Sequence, residues 1–192
     1  GPEAEKVVEE VLGIKCSDLT FYTFKETSVD EHDVLISRTG YTGEDGFEIY
    51  AEDEVIEKLW DFLMQSGRCE PCGLGCRDTL RFEVGLPLYG DELEEDITPV
   101  EAGLTMFVKL DKDLFMGREA VAKQKAEGAA RKIVGLELAD RAIPRHGYEV
   151  LDADDNVIGT VTTGYHSIST DKSIAMALID ARHAAMGTPL KV

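Results

Sequence analysis

The sequence predicts an α+β fold: a helix-covered antiparallel sheet followed by a small antiparallel β-barrel domain. Three observations carry this expectation. Apolar residues at helical spacing alternate with β-branched runs over the first half. After Gly128 the texture changes to short strands separated by turn signals. The length of 192 residues, 43% of them hydrophobic, is enough to bury a core. The boundary is placed at 128/129, giving an α+β region over 1–128 and a barrel-like domain over 129–192.

Taken in order, Val7, Val8, Val11 and Leu12 lie at helix spacing before Gly13, and Pro2 suits a first turn. Residues 19–24, 34–38 and 46–51 read as three strands of one sheet. Val55, Ile56, Leu59, Phe62 and Leu63 form the apolar stripe of a helix expected to cover that sheet, with Trp60 at its edge. A helix from Gly75 would put Arg77, Asp78 and Arg81 on one face and turn Cys76, Leu80 and Val84 inward. The block Asp91–Asp96 reads as a solvated loop, lacking the alternation and the glycine of a calcium loop. Thr98-Pro99-Val100-Glu101 has the form of a capping box opening a short helix, with a strand over 104–110 and a helix over 117–128. Strands are then expected at 133–138, 148–151, 157–162 and 174–179.

Composition narrows the function classes. Lys+Arg 20 against Asp+Glu 38 gives a formal charge of −18, which argues against nucleic acid, whose phosphates must be met by basic side chains. No apolar run approaches membrane-spanning length. Four cysteines without a signal segment favour a reducing compartment. Cys69, Cys72 and Cys76 fall in a C-x2-C-x3-C spacing, but a structural zinc site wants a second pair and none is visible, so free cysteines and no metal are expected.

The densest specified stretch is Arg38-Thr-Gly-Tyr41-Thr-Gly-Glu-Asp-Gly-Phe-Glu48-Ile-Tyr50. Gly40, Gly43 and Gly46 offer three positions where φ > 0 costs little, and Asp45-Gly46 is a hairpin signal. From the residues alone this is either a hairpin arranged around a ligand or an ordinary solvated one. The G-x-x-G-x-x-G spacing is wrong for the dinucleotide fingerprint, and a strand follows where that fingerprint needs a helix.

Four ordered stretches taken together, Arg38 to Glu48, Pro71-Cys-Gly-Leu-Gly-Cys-Arg77-Asp-Thr-Leu-Arg81, Leu88-Tyr89-Gly90 and Thr98-Pro-Val-Glu101, resemble the aminomethyltransferase family, the T-protein of the glycine cleavage system. The resemblance continues through Val108-Lys-Leu110, Gly117-Arg-Glu-Ala120 and Gly164 to Leu178, so it spans essentially the whole chain. It implies transfer of an aminomethyl group from the lipoyl arm of H-protein to tetrahydrofolate, giving methylenetetrahydrofolate and ammonia. It also implies that Glu48 and Arg77 contact the folate, and that they converge on one cleft.

The residue types suit that role. A carboxylate can accept the amide-like N–H and amino group on a pterin edge, and a guanidinium can bind a carbonyl or carboxylate or stack on a ring. Tyr41, Arg38 and Tyr89 sit in the same stretches and are expected to wall the pocket. The family's catalytic aspartate is expected before Gly1 and its final strands after Val192, so no catalytic residue is assigned within the chain, and self-association through exposed strand edges is anticipated. The resemblance implies a cytoplasmic protein, or one of the mitochondrial matrix in a eukaryote. Two alternatives carry different chemistry: a folate-fold relative acting on dimethylglycine, sarcosine or a sulfonium donor, and a non-enzymatic assembly factor. The latter is expected to carry a Lys-Gly-Cys-Tyr type stretch, which is absent.

Overall fold

The computed structural model describes residues Gly1–Val192. Helix α1 (Ala4–Leu12) buries Val7, Val8 and Leu12 and stops at Gly13, whose φ of 68° is the left-handed conformation that ends helices. Strands β1 (Phe24–Val29) and β2 (His32–Ser37) pair antiparallel through a two-residue turn, and Asp30 and Glu31 both hold φ > 0, as the favoured hairpin turn demands. Strand β3 (Glu48–Tyr50) pairs antiparallel with β2, so the sheet order is β1-β2-β3. Helix α2 (Asp53–Gln65) lays Val55 and Leu59 against Val34 and Ile36 of the sheet, and α1 closes the same core with Val8 and Leu12. Helix α3 (Leu74–Glu83) follows.

Strand period then decides what the other sheet face shows. Val34, Ile36 and Ile49 point to the core, so Phe24, Ser37 and Glu48, which lie opposite one another in register, share the outer face with Glu26, Leu35 and Tyr50.

The remaining elements are a 3₁₀ turn (Thr105–Phe107), helix α4 (Arg118–Glu127) and four strands, β4 (Arg131–Glu137), β5 (Glu149–Leu151), β6 (Val157–Ser167) and β7 (Lys172–Asp180). The strands form one antiparallel sheet in the order β4-β7-β6-β5, with a second 3₁₀ turn (Ala181–His183) after it and a bridge from Leu151 to Lys191. Its core is Val150, Val161, Ala175, Ala177 and Ile179. No helix is long and apolar enough to cross a membrane.

Several expectations need correction. Residues 19–24 are β-prone, but Tyr22 holds φ 65° and its N–H donates to the Arg38 carbonyl, so a turn precedes β1 and the strand begins only at Phe24. Residues 104–110 form the 3₁₀ turn and loop and no strand. The Thr98 box is made, with the Thr98 N–H donating to Glu101 Oε2 at 2.8 Å and the Glu101 N–H to Thr98 Oγ1 at 3.2 Å. It closes a turn that Gly103 ends and opens no α-helix, and the Glu101 carboxylate is also held by Arg131 of β4.

The chain divides into two compact units, Gly1–Val84 and Gly85–Val192. Arg131 reaches both the Glu101 carboxylate and the Asp96 carbonyl, and the Ile133 N–H donates to the Glu101 carbonyl, so the segment around 96–101 is fastened to the β4 edge.

Candidate functional site

Residues 38–47 connect β2 to β3, and Arg38 fixes their path. Its Nε and Nη2 donate to the two Asp45 oxygens at 2.9 and 2.7 Å, its Nη1 donates to the Leu19 carbonyl at 3.0 Å, and the same nitrogen lies 2.8 Å from the Glu5 carboxylate. A bidentate pair of this kind sets geometry as well as energy. The Arg38 guanidinium holds the Asp45 carboxyl below the usual carboxylate range, and Asp45 in return raises Arg38. With the guanidinium also 5.2 Å from the Phe47 ring, Arg38 ties the two ends of the loop together. Among the three glycines, only Gly43 takes positive φ (77°), and a Cβ there would meet Val84 at 2.6 Å.

The loop presents Tyr41 to helix α3. Arg77, in the first turn of that helix, places its guanidinium 4.5 Å from the Tyr41 ring centroid, a cation–π distance. It is exposed and makes no ion pair, whereas the other arginines of this unit are all paired: Arg38 with Asp45 and Glu5, Arg68 with Glu10, and Arg81 with Asp78. The expected face of α3 is therefore rotated. Arg81 and Phe82 are buried, while Cys76, Leu80 and Val84, expected to turn inward, are exposed. Asp78, 2.6 Å from the Arg81 Nε, makes an arginine tolerable on the buried side.

Glu48 is exposed on the outer sheet face, and the Tyr50 hydroxyl donates to its Oε2 at 2.8 Å, which raises the Tyr50 phenol above its ordinary value. Each carboxylate oxygen can accept two hydrogen bonds, so Glu48 keeps acceptor capacity on both oxygens beside the Tyr50 hydroxyl. No hydrogen bond or ion pair joins Glu48 to Arg77, and what they share is the 38–47 loop, which carries Tyr41 to Arg77 and leads directly into Glu48. Residue reasoning missed the role of Tyr50, which was findable, since residues two apart on a strand share a face. Tyr89 lies in the second unit, 67% exposed on the turn Leu88–Leu93.

The four cysteines are free. Cys16 is buried, and burial pushes its thiol up to about 11, so it stays protonated. Cys72 and Cys76 are exposed, and the hydrogen bond that the Cys76 thiol donates to Cys72 raises Cys76. No group of three or more His, Cys, Asp or Glu side chains is arranged to hold a metal ion.

Comparison with known proteins places this geometry. The family model described as GCVT N-terminal domain matches residues 1–112, and that described as glycine cleavage T-protein C-terminal barrel domain matches residues 131–192. The chain belongs to the glycine cleavage T-protein family. Its relatives include aminomethyltransferases of Alkaliphilus oremlandii, 51% identical over 196 residues, and Thermoanaerobacter pseudethanolicus, 50% identical over 196 residues; each alignment takes in all of this chain and 53% of the relative. The crystal structure of glycine cleavage system aminomethyltransferase T from Bartonella henselae superposes with a TM-score of 0.90 at 34% identity, covering 97% of this chain and 51% of that one. This T-protein chain thus spans about half the length of the curated relatives it matches. The α+β order of a T-protein domain followed by a barrel domain agrees with the fold expected from the sequence.

Proposed function

We propose that this chain supplies the folate-binding part of an aminomethyltransferase that takes its group from the lipoyl arm of H-protein and passes it to tetrahydrofolate. In that transfer the methylene carbon leaves the lipoyl sulfur and its own amino nitrogen and becomes bonded to two folate nitrogens. The protons displaced from those nitrogens depart with ammonia and with the thiol. Residues 1–128 would carry the folate role and residues 129–192 the barrel, in a reducing cytoplasmic setting that suits four free cysteines.

The observation that carries this reading is Arg77, the one arginine of the first unit held over an aromatic ring with no acid partner. A guanidinium held over Tyr41 with no acid partner has N–H groups available to a carboxylate or carbonyl on a flat ligand, which is where a guanidinium outperforms an ammonium. Glu48 supplies the complementary acceptor, with capacity left on both oxygens beside the Tyr50 hydroxyl. Tyr41 backs Arg77, and Arg38 shapes the loop that carries Tyr41.

The test is calorimetric titration of tetrahydrofolate into the 192-residue chain and into Glu48→Gln and Arg77→Ala, with Arg68→Ala as a surface control. Each site variant should bind at least about tenfold more weakly, since losing one partner of a charged hydrogen bond commonly costs more than this. Arg68→Ala should match the unsubstituted chain. Equal affinity for all four proteins removes the assignment of Glu48 and Arg77.

A further inference from the structure

The proposed transfer leaves the cysteines unused, and two of them meet at the start of α3. Cys72 comes just before the N-cap residue Gly73, and Cys76 lies in the first turn of the helix. Both are exposed. The Cys76 thiol donates a hydrogen bond to the Cys72 sulfur, and the Cys72 thiol in turn donates to the Glu70 carbonyl at 3.6 Å. This run of donors holds the two sulfurs side by side within reach of solvent. The other cysteines are placed differently. Cys16 is fully buried in the core of the first unit, with its thiol pushed up to about 11, and Cys69 is half-buried.

The stretch that the two thiols bracket is lightly held. Helix α3 begins without a side-chain cap, and its first bond, from the Arg77 N–H to the Gly73 carbonyl at 3.2 Å, is made across that stretch. A Cβ at Gly73 or Gly75 would meet nothing, so neither glycine is required for space. What the two bring is backbone freedom, which raises the entropy cost of ordering the turn. A covalent link from residue 72 to residue 76 removes open conformations of this turn, and so strengthens the helix start that carries Arg77.

We propose that Cys72 and Cys76 are a reversible dithiol–disulfide pair, oxidised by thiol–disulfide exchange with a small-molecule disulfide, and that the disulfide clasps the first turn of α3. Cys72, whose sulfur accepts the hydrogen bond, is the attacking thiolate: it bonds to one sulfur of the small disulfide and expels the other as a thiolate. Cys76 then gives up its proton, attacks the Cys72 sulfur and expels the second small thiolate. One disulfide is broken and one is formed. Two electrons pass from the protein to the small disulfide, and the two cysteine protons end on the two small thiols released. The hydrogen bond that raises Cys76 leaves it as the resolving thiol. Nothing in this exchange requires a ligand at Arg77.

The experiment equilibrates the 192-residue chain with mixtures of glutathione and glutathione disulfide, quenches in acid, alkylates, and maps the peptides carrying residues 69–76 by mass. In the parent, Cys72 and Cys76 should be joined to each other in oxidising mixtures and freed by excess glutathione, while Cys16 is alkylated only after unfolding. Cys76→Ser should stall as a glutathione adduct on Cys72. Cys69→Ser should leave the Cys72–Cys76 link unchanged. Backbone hydrogen exchange reads the clasp: the Arg77 amide should exchange about tenfold more slowly in the oxidised parent and recover on reduction. In Cys76→Ser the same mixtures should leave that amide unchanged, which separates the link from any general effect of the oxidant. A link made from Cys69, separate glutathione adducts on Cys72 and Cys76 in the parent, or no link in any mixture overturns the pair. A Cys72–Cys76 link that leaves Arg77 exchange unchanged overturns the clasp.

Discussion

The loop at residues 38–47 and the turn at residues 88–93 each present a tyrosine, Tyr41 or Tyr89, and each is held from beneath by one ionisable side chain. The means differ. Arg38 meets charged partners, Asp45 and Glu5, with the Arg38 and Asp45 side chains 19% and 29% exposed, whereas Glu92 is fully buried and gathers hydroxyls and a backbone N–H. Ion pairs at partial exposure respond to protonation and salt, and hydroxyl donors do not titrate near neutrality. One tyrosine is therefore mounted on an acid-sensitive clamp. The other is mounted on a fully buried carboxylate that gathers donors from β6 and from its own turn.

The largest expected effect separates Arg38 from Arg77. Arg38→Ala leaves Asp45 and Glu5 without their shared cation and the Leu19 carbonyl without a donor, so urea unfolding should show a loss of about 2 kcal/mol, below the value for a fully buried pair because water screens this one. Arg77→Ala breaks no ion pair and should stay within about 0.5 kcal/mol of the parent. Comparable losses in both variants would erase the distinction between a clamp and a recognition residue.

Next in size is Gly43→Ala, which puts a Cβ at φ 77° and within 2.6 Å of Val84 Cγ1, and should cost about 1–2 kcal/mol. Gly46→Ala is the internal control. Its Cβ would lie 3.4 Å from the Thr39 carbonyl, at the edge of ordinary contact, and its φ lies outside the left-handed region, so thermal unfolding should shift by less than half as much.

What could be read from residue order follows the same division between periodic packing and local exceptions. Helices α1 and α2 and strands β4 to β7 were legible because apolar spacing repeats through them, α4 was legible from its run of good helix formers, and Gly13 marks the stop of α1 without tertiary help. The β1–β2 hairpin was not, because Asp30 and Glu31 adopt the positive φ that a reader assigns to Asn-Gly or Asp-Gly, and the true Asp45-Gly46 pair sits in a long connection. The rotation of α3 was hidden as well. Nothing in local order says that Arg81 goes inside and Leu80 outside until Asp78 is seen bound to the guanidinium. Glu48 and Arg77 were named through family resemblance, and the alternation of residues gave only the outward face of Glu48. Glu92 and the two threonines whose hydroxyls donate to it, Thr162 and Thr163, lie 70 and 71 residues apart in sequence and meet only because of a bulge that no pattern announces.

The smallest expected effect is the acid response of the first clamp. Arg38 lowers the folded Asp45 carboxyl below its ordinary value of 3.8. In the window between that depressed folded value and the unfolded one, the unfolded chain binds more protons than the folded chain, so stability rises with pH there. The contribution is fully present above the unfolded value and is lost as pH falls through the folded one. Arg38→Ala abolishes the depression, so its shortfall relative to the parent should be constant above the unfolded carboxylate value and narrow as pH falls through the depressed folded one. Urea midpoints of the parent and Arg38→Ala from pH 7 down to the acid limit of reversible folding would check this, and a deficit that stays constant through the acid range would mean that the Arg38–Asp45 pair does not carry the acid response.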